Sequence, residues 1–213
     1  VVSANPPEKV KLDTVGKLFH GVKVKIAEDG EILVSGENIM NGYWNDPDAT
    51  SKTIIDGWVH TGDIGEFDEE EYLKITDRKK DIIVNAGGDN ISPTRVEAKL
   101  DIEPEIAQSM LYGDFKNYLV AVIVPDKDFA LNWAKENGKE QKFESIVKDD
   151  DFNKLMKEVV NRVNKNLSVI EQVRKFILID HEFTIENSMM TVSMKVRRFA
   201  VKDKYQEDLE KLY

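Results

Sequence analysis

The sequence predicts an α+β protein: residues 1–77 are expected to be rich in β-strands, and residues 78–213 to combine strands and helices in layers. Three observations support this expectation. Apolar residues alternate with lysines at Val22–Ile26, short apolar runs are separated by Gly, Asn and Asp, and apolar residues repeat at spacings of three and four from Phe152 to Leu167. The 213 residues are enough for one large domain or two small ones.

Two β-hairpins are predicted in residues 1–77. The alternating strand Val22–Ile26 is followed by the turn Glu28-Asp29-Gly30, which returns the chain into the apolar run Ile32–Val34. The second hairpin pairs Ile64–Phe67 with Tyr72–Ile75, with an acidic run at its tip. We interpret that acidic run as a solvated turn.

Several helices have recognisable beginnings or faces. Asp46-Pro47 and Ser92-Pro93 each place an amide-accepting side chain before a proline, which is typical of a helix N-terminus; the second helix is expected to end near Leu100. The tail Val201–Tyr213 is predicted to be a polar helix. The strongest helical stripe indicates a core-facing surface rather than a cofactor site, and comprises Phe152, Leu155, Met156, Val159, Val160, Val163 and Leu167.

The second part is predicted to contain four strands, at Ile82–Val84, Ile106–Tyr112, Leu119–Val124 and Phe176–Ile179. The boundary between the two parts, Asp77–Asp81, has no Pro-, Gly- or Ser-rich linker. A hinge in this place would therefore be short and charged, with few residues absorbing any rotation.

Composition excludes several classes of function. The 40 acidic residues outnumber the 30 basic ones and give a net charge of −10, which argues against a general binder of nucleic acids or anionic membranes. Cysteine is absent, which excludes disulfides, a thiolate nucleophile and cysteine–zinc sites. The three histidines, at positions 20, 60 and 181, have no metal-ligand spacing, so no metal site is predicted within this chain.

Asp63 and Arg78 are candidates for binding a ribose. Asp63 ends the turn Thr61-Gly62-Asp63, and a carboxylate there presents two acceptor oxygens to the two hydroxyls of a vicinal diol. Arg78 lies across the second hairpin, which brings the ends of the hairpin together. The alternatives are an Asp63 that satisfies turn amides and a surface network of Asp77, Arg78 and Asp81.

Two further segments are candidates for contacting phosphate or a ligand backbone. Gly87-Gly88, followed by Asp89, lies between a strand and a helix start, which permits close approach by a ligand; a plain turn is the alternative. Lys195 opens the most basic stretch of the chain, after the irregular segment 186–190. A lysine on a loop can act as a mobile cation on developing charge, whereas the alternative is the basic half of a surface helix.

Read in order, these segments resemble the adenylate-forming (acyl-activating) enzyme superfamily, which includes acyl-CoA synthetases. The likeness covers nearly the whole chain and lies in GEILVSGENIMNGYWNDPDAT, GWVHTGDIG, DRKKDIIVNAGGDNISPTRVE and TVSMKVRR. The Asp-Arg-Lys-Lys-Asp run and a helical insertion at about 126–167 are most similar to long-chain fatty acyl-CoA synthetases. The resemblance implies that residues 1–77 end a large N-terminal domain and residues 78–213 form a mobile C-terminal domain, with a hinge at 78–81.

The resemblance implies a two-step ligase reaction, in which a fatty acid and ATP give acyl-AMP and coenzyme A then gives the thioester. It assigns Asp63 and Arg78 to nucleotide binding and Lys195 to nucleotide binding and catalysis of adenylation. Lys80 would be the hinge residue, and the loop Gly87-Gly88-Asp89 would contact CoA. Mg²⁺ would accompany ATP, with its ligands outside this chain.

The chain departs from the family pattern in two ways. Val192 replaces a usual proline and Met194 a usual glycine or leucine before Lys195, so a less rigid loop is expected. A Ser/Thr/Gly-rich phosphate loop and a Tyr-Gly-x-Thr-Glu motif are not found. We therefore expect this chain to be the C-terminal part of a longer enzyme, with its N-terminal domain as partner, and to be inactive as a ligase in isolation.

Two alternative functions stay open at this point. The first is an acyl-AMP ligase that loads a carrier protein instead of CoA. The second is a non-catalytic module that docks or regulates a partner. The expected location is cytoplasmic, with peripheral attachment at the inner face of a membrane as the alternative, and acyl-chain length and oligomeric state are not predicted.

Overall fold

The computed structural model describes all residues, 1–213, and divides into two compact units, Val1–Asp81 and Ile82–Tyr213. Both units mix strands and helices, which confirms the predicted fold class. The predicted hinge at residues 78–81 lies at the end of the first unit. Its movement, and the assignment of residues 1–77 to a larger domain, stay predictions.

The first unit is built on an antiparallel five-stranded sheet with one short helix. Its elements are β1 Ser3–Ala4, β2 Lys17–Leu18, β3 Lys23–Ile26, β4 Glu31–Ser35, α1 Pro47–Thr53, β5 Ile54–Ile55, β6 Trp58–Phe67 and β7 Leu73–Arg78. The sheet has the order β3-β4-β6-β5, with β7 also paired to β6. Both predicted hairpins are present, as β3–β4 and β6–β7. The predicted cap of α1 is confirmed, because Asp46 accepts a hydrogen bond from the Ala49 amide at 2.9 Å.

One prediction for this unit is wrong. Thr61-Gly62-Asp63 is not a turn after a separate strand but an irregular stretch inside β6, which runs without a break from Trp58 to Phe67. Opposite β4, Glu31 pairs with Ile64 and Leu33 with His60. Three residues of β6, 61–63, therefore lie opposite the single residue Ile32, which makes this stretch a bulge. Gly62 has φ +70°, a conformation that glycine adopts without strain.

The second unit contains a three-stranded sheet with helices on its faces. Its elements are β8 Ile83–Val84, β9 Asn90–Ile91, α2 Pro93–Leu100, β10 Ile106–Tyr112, β11 Leu119–Pro125, α3 Lys127–Glu136, α4 Phe143–Ile146, α5 Asp150–Asn164, a 3-10 turn Val169–Glu171, β12 Val173–Leu178 and α6 Arg198–Glu210. In the order β10-β11-β12, β11 is antiparallel to β10 and parallel to β12. The helices α3 to α5 form the crossover that a parallel pair requires.

The central strand β11 separates two hydrophobic clusters. Leu119, Ala121 and Ile123 belong to the cluster that includes α2, α3 and α5, whereas Val120 and Val122 belong to the cluster that includes α6. Because successive strand residues point to opposite faces, a strand covered on both sides is apolar throughout. All seven residues of β11 are buried.

The predicted helices are confirmed with shifted ends. The Ser92 hydroxyl accepts from the Arg95 amide at 3.3 Å and caps α2, as predicted. Helix α5 ends at Asn164, so Leu167 contributes to the core from outside the helix. Helix α6 begins at Arg198 rather than Val201, and it is not polar on all sides, since Val201, Tyr205 and Leu209 are buried along one face.

Candidate functional site

Asp63 and Arg78 form an ion pair at the open end of the second hairpin. They face each other in the register of β6 and β7, and the Arg78 Nε lies 3.0 Å from the Asp63 Oδ1. The Asp63 side chain is 26% exposed and that of Arg78 is 58% exposed. The predicted approach of these two residues is thereby confirmed, and both remain accessible from solvent.

The structure shows which groups these two residues contact. The Asp63 carboxylate does not satisfy the amides of its own segment. Its backbone amide donates to the Thr61 hydroxyl at 3.1 Å, and the Gly62 amide donates to Glu31 at 2.9 Å. Asp77 accepts the backbone amide of Arg78 at 2.7 Å, while the guanidinium of Arg78 faces Asp63. One oxygen of Asp63, Oδ1, therefore faces a cation, and the amides of Gly62 and Asp63 are bonded to other groups.

Glu31, which sequence reasoning missed, is bonded to the backbone of the bulge. It is only 3% exposed, although it is ionisable. Its carboxylate accepts from the Gly62 amide at 2.9 Å, lies 3.0 Å from the His60 Nδ1, and accepts from the Lys79 ammonium at 2.9 Å. Burial acts to raise the pKa of Glu31, but the bonds from Lys79 and His60 outweigh it and lower the pKa. Glu31 is therefore held as a carboxylate.

Lys79 connects this buried carboxylate to the segment that follows β7. Its ammonium also lies 2.6 Å from Asp29, and its backbone amide donates to the Gly62 carbonyl at 2.8 Å. Hydrogen bonding to Asp29 and then to Glu31 raises the pKa of Lys79. The only sequence signal for this network is a glutamate at the first position of an apolar strand, where one face is expected to be buried.

We predict that Glu31→Gln destabilises the first unit by about 1–3 kcal/mol at pH 7, because the glutamine amide cannot accept from Gly62, His60 and Lys79 together. The pKa of Glu31 is lowered in the folded state. Its stabilising contribution is therefore present above the unfolded value of about 4.3 and is lost as the pH falls through the folded value. Urea unfolding at pH 7 and at pH 3 measures this, and the gap between the two proteins should narrow at pH 3.

The matched control for this prediction is Glu37→Gln, which makes the same chemical change at an exposed position. The control is expected to change stability little at either pH. A Glu31→Gln protein as stable as the control at pH 7 would contradict the supporting role of Glu31.

In the second unit, Gly87-Gly88 forms the tip of a tight loop between β8 and β9. Asn85 and Asp89 close the loop, because the Asp89 amide donates to the Asn85 side chain at 2.9 Å and the Asn85 side-chain amide donates to the Asp89 carboxylate at 2.9 Å. Gly88 has φ +86°, and a Cβ there would meet no atom within 4 Å. The tip is therefore open, while the Asp89 side chain is already used in holding the loop.

Lys195 lies at the end of a second tight turn. The Thr191 amide donates to the Lys195 carbonyl at 2.8 Å, and the Lys195 amide donates to the Thr191 hydroxyl at 3.1 Å. Met194 has φ +59°, an unfavourable conformation for a residue with a side chain. The Lys195 side chain is exposed, and its ammonium has no carboxylate partner. The turn thus presents a free cation on a fixed backbone.

Lys80, the predicted hinge residue, is exposed in the turn at residues 79–81. The Asp81 amide donates to the Arg78 carbonyl at 2.9 Å, so the turn is short. Asp63, Arg78 and Lys80 belong to the first unit, whereas Lys195 and the Gly-Gly loop belong to the second. No group of three or more His, Cys, Asp or Glu side chains is arranged to hold a metal ion. None of the helices has the length and apolar character needed to cross a membrane.

The fold and these segments define the class of protein. The family model described as AMP-binding enzyme C-terminal domain matches residues 80–213. The chain therefore belongs to this family of adenylate-forming enzymes, which confirms the resemblance seen in the sequence. A solved structure agrees in fold: the adenylation domain of a carboxylate reductase from Mycobacterium chelonae aligns with a TM-score of 0.75 at 24% identity, over 96% of this chain and 34% of that one.

Within the family, the chain is similar to long-chain fatty-acid ligases. It is 37% identical over 206 residues to the long-chain-fatty-acid–CoA ligase FadD15 of Mycobacterium tuberculosis, which covers 96% of this chain and 34% of that protein. It is 34% identical over 189 residues to the long-chain-fatty-acid–CoA ligase 1 of Homo sapiens, which covers 87% of this chain and 27% of that protein. The chain thus spans about a third or less of the length of these relatives.

Proposed function

We propose that this chain is the C-terminal part of an ATP-dependent long-chain fatty acid–CoA ligase. The observation that supports this most directly is the solvent-accessible Asp63–Arg78 pair, whose carboxylate is not needed for closing its own bulge. The similarity to a long-chain-fatty-acid–CoA ligase along 96% of the chain supports a long-chain fatty acid as the proposed carboxylate substrate.

The proposed reaction has two steps. A fatty-acid carboxylate oxygen attacks the α-phosphorus of ATP, which forms acyl-AMP and releases pyrophosphate. The sulfur of CoA then attacks the acyl carbon, loses its proton, and expels AMP to give the thioester. Both steps need the nucleotide held in place. Holding two reactants in the correct geometry within one complex replaces their random encounter in solution and so speeds the reaction.

We assign the nucleotide ribose to Asp63 and Arg78. A carboxylate accepts from both hydroxyls of a vicinal diol, and the charge on the acceptor strengthens these bonds. The ion pair at 3.0 Å uses one carboxylate oxygen and one guanidinium nitrogen, so both groups keep further hydrogen-bonding capacity. Glu31 and Lys79 supply the fixed platform on which Asp63 lies.

We assign the first step to Lys195. Negative charge develops on phosphate oxygens as pyrophosphate leaves, and a positioned cation stabilises that charge. An exposed ammonium without a carboxylate partner is available for this task. Mg²⁺ is expected to neutralise further phosphate charge, but no residue of this chain is assigned to it.

We assign the second step to the other segments. Gly87-Gly88 forms a loop tip that is free of neighbouring atoms at Gly88, so a pantetheine chain could approach it closely. The hydrogen bond between Asn85 and Asp89 holds the two ends of the loop together. Lys80 is the proposed pivot. Rotation of the second unit about it would move the Lys195 turn away from the reacting groups and bring the Gly87-Gly88 loop towards them. Such an exchange keeps the groups needed for each step out of the way of the other.

The test uses the full-length protein with ATP, Mg²⁺, palmitate and CoA. We expect palmitoyl-CoA to form, and we expect Asp63→Ala to raise the KM for ATP about 10- to 100-fold, because charge-assisted bonds to the ribose are lost. Asp48→Ala, a change of the same type at an exposed position of α1, is the control. Residues 1–213 alone are expected to form no thioester.

The same assay separates the alternatives. Turnover with an acyl carrier protein but not with free CoA would indicate an acyl-AMP ligase. Absence of acyl-AMP and thioester from the full-length protein, with all common fatty acids, would contradict the ligase and favour a non-catalytic module.

A further inference from the structure

An ion pair between a buried glutamate and a half-buried arginine joins α2 to the beginning of α6. The Arg198 guanidinium contacts the Glu97 carboxylate through both terminal nitrogens, with Nη1 2.5 Å from Oε1 and Nη2 against Oε2. The side chain of Glu97 is 10% exposed and that of Arg198 is 22% exposed. Two parallel bonds of this kind fix the relative orientation of both groups.

Glu97 is also bonded to the central sheet. The Leu111 amide of β10 donates to the Glu97 Oε1 at 2.7 Å. One carboxylate therefore links α2, β10 and α6. The position of Arg198 is thus set by the core of the second unit rather than by its own helix alone.

Arg198 lies only three residues after Lys195, and the chain between them has little freedom. Val196 forms a β-bridge with Met190, and the Arg197 amide donates to the Met189 carbonyl at 2.7 Å. The Lys195 carbonyl and amide are both bonded to Thr191. A change in where Arg198 is held would therefore be transmitted to the backbone of Lys195.

Energetics indicate why such a pair is present. A buried ion pair is often no more stabilising than apolar residues of the same volume, because both charges lose their hydration. Its particular property is a defined geometry. A displacement of about 1 Å of a catalytic group can cost about 100-fold in rate. An exposed lysine on a turn therefore needs a backbone that is held in a fixed position.

We propose that Glu97 and Arg198 are positioning residues for Lys195, which set its place for the adenylation step. This inference rests on the proposed function and on the role assigned to Lys195. Neither Glu97 nor Arg198 is required to touch the nucleotide. Their effect should therefore be confined to the half-reaction that uses Lys195.

The test is Arg198→Lys in the full-length protein. This change keeps the positive charge but loses the bidentate contact with Glu97. ATP–pyrophosphate exchange with palmitate measures adenylation, and CoA thioester formation from supplied palmitoyl-AMP measures the second step. We expect adenylation to fall about 10- to 100-fold and the second step to change less than about twofold. Arg174→Lys, at an exposed position of β12, is the matched control and should change neither rate.

A second variant guards against a folding defect. Glu97→Gln keeps the shape of the side chain and an oxygen for the Leu111 amide, and it should show the same selective loss of adenylation. Equal loss of both half-reactions in both variants would indicate a merely structural role and would overturn the inference, as would no loss in either.

Lys195→Ala, measured alongside, distinguishes failure of this inference from failure of the proposed function. A selective loss in Lys195→Ala without one in Arg198→Lys overturns only the positioning role. The absence of a selective loss in Lys195→Ala overturns the function assigned to Lys195, and the positioning role with it.

Discussion

Replacing Lys195 with alanine in the full-length protein is expected to slow adenylation about 100- to 1,000-fold, the usual effect of removing one preorganised group that stabilises developing charge. Thioester formation from supplied palmitoyl-AMP is expected to continue at nearly the normal rate, because no phosphate charge develops when the thiol attacks. ATP–pyrophosphate exchange and single-turnover thioester formation measure the two steps separately.

The control for this prediction is Lys157→Ala, which removes an exposed lysine from the middle of α5 and leaves a residue that favours helix. It should behave like the unchanged protein in both assays. An equal loss of both half-reactions in Lys195→Ala would contradict the assigned role, since it would show that the lysine serves the fold or both steps.

The largest effect on stability is expected from Phe152→Ala, at about 3–5 kcal/mol. Phe152 is fully buried on α5, and its ring lies 5.0 Å from that of Trp133 between ring centres. Its loss would leave a cavity between α5 and α3 that the surrounding side chains can fill only in part. The second unit should unfold at a clearly lower urea concentration.

Trp133 provides a local probe for this measurement. The chain has three tryptophans, and Trp44 and Trp58 lie in the first unit. A Trp44→Phe, Trp58→Phe background leaves a fluorescence signal from the second unit alone, which avoids mixing two unfolding transitions. Phe199→Ala is the matched control, because Phe199 is 81% exposed. Similar unfolding midpoints for the two alanine variants would contradict the core position of Phe152.

Elements with strong local signals were predicted well from the sequence. Asp46 and Ser92 mark helix beginnings because their side chains accept amides only a few residues away. The stripe beginning at Phe152 places a helix against a core because its period matches the helical turn. Asp63 and Arg78 were correctly paired because a hairpin brings its two ends together.

Local patterns were insufficient where the contacts are distant in sequence. At Thr61-Gly62-Asp63 the sequence predicts a turn, but glycine permits both a turn and a bulge, and only the pairing with β4 distinguishes the two. Likewise, the tail helix is predicted to be polar because its polar residues outnumber its apolar ones. Only the tertiary structure shows that Val201 packs in the cluster that includes residues of β10 and β11.

The sequence by itself determined the order of the elements, the family, and the candidate residues Asp63, Arg78 and Lys195. Capping, periodicity and short motifs depend on neighbours within a few residues, so they can be read along the chain. Only the tertiary structure decided how those candidates are held. Glu31 reaches Lys79 across 48 residues and Glu97 reaches Arg198 across 101. Such glutamates look like any surface acid until folding buries them, and burial is what forces each to find fixed partners.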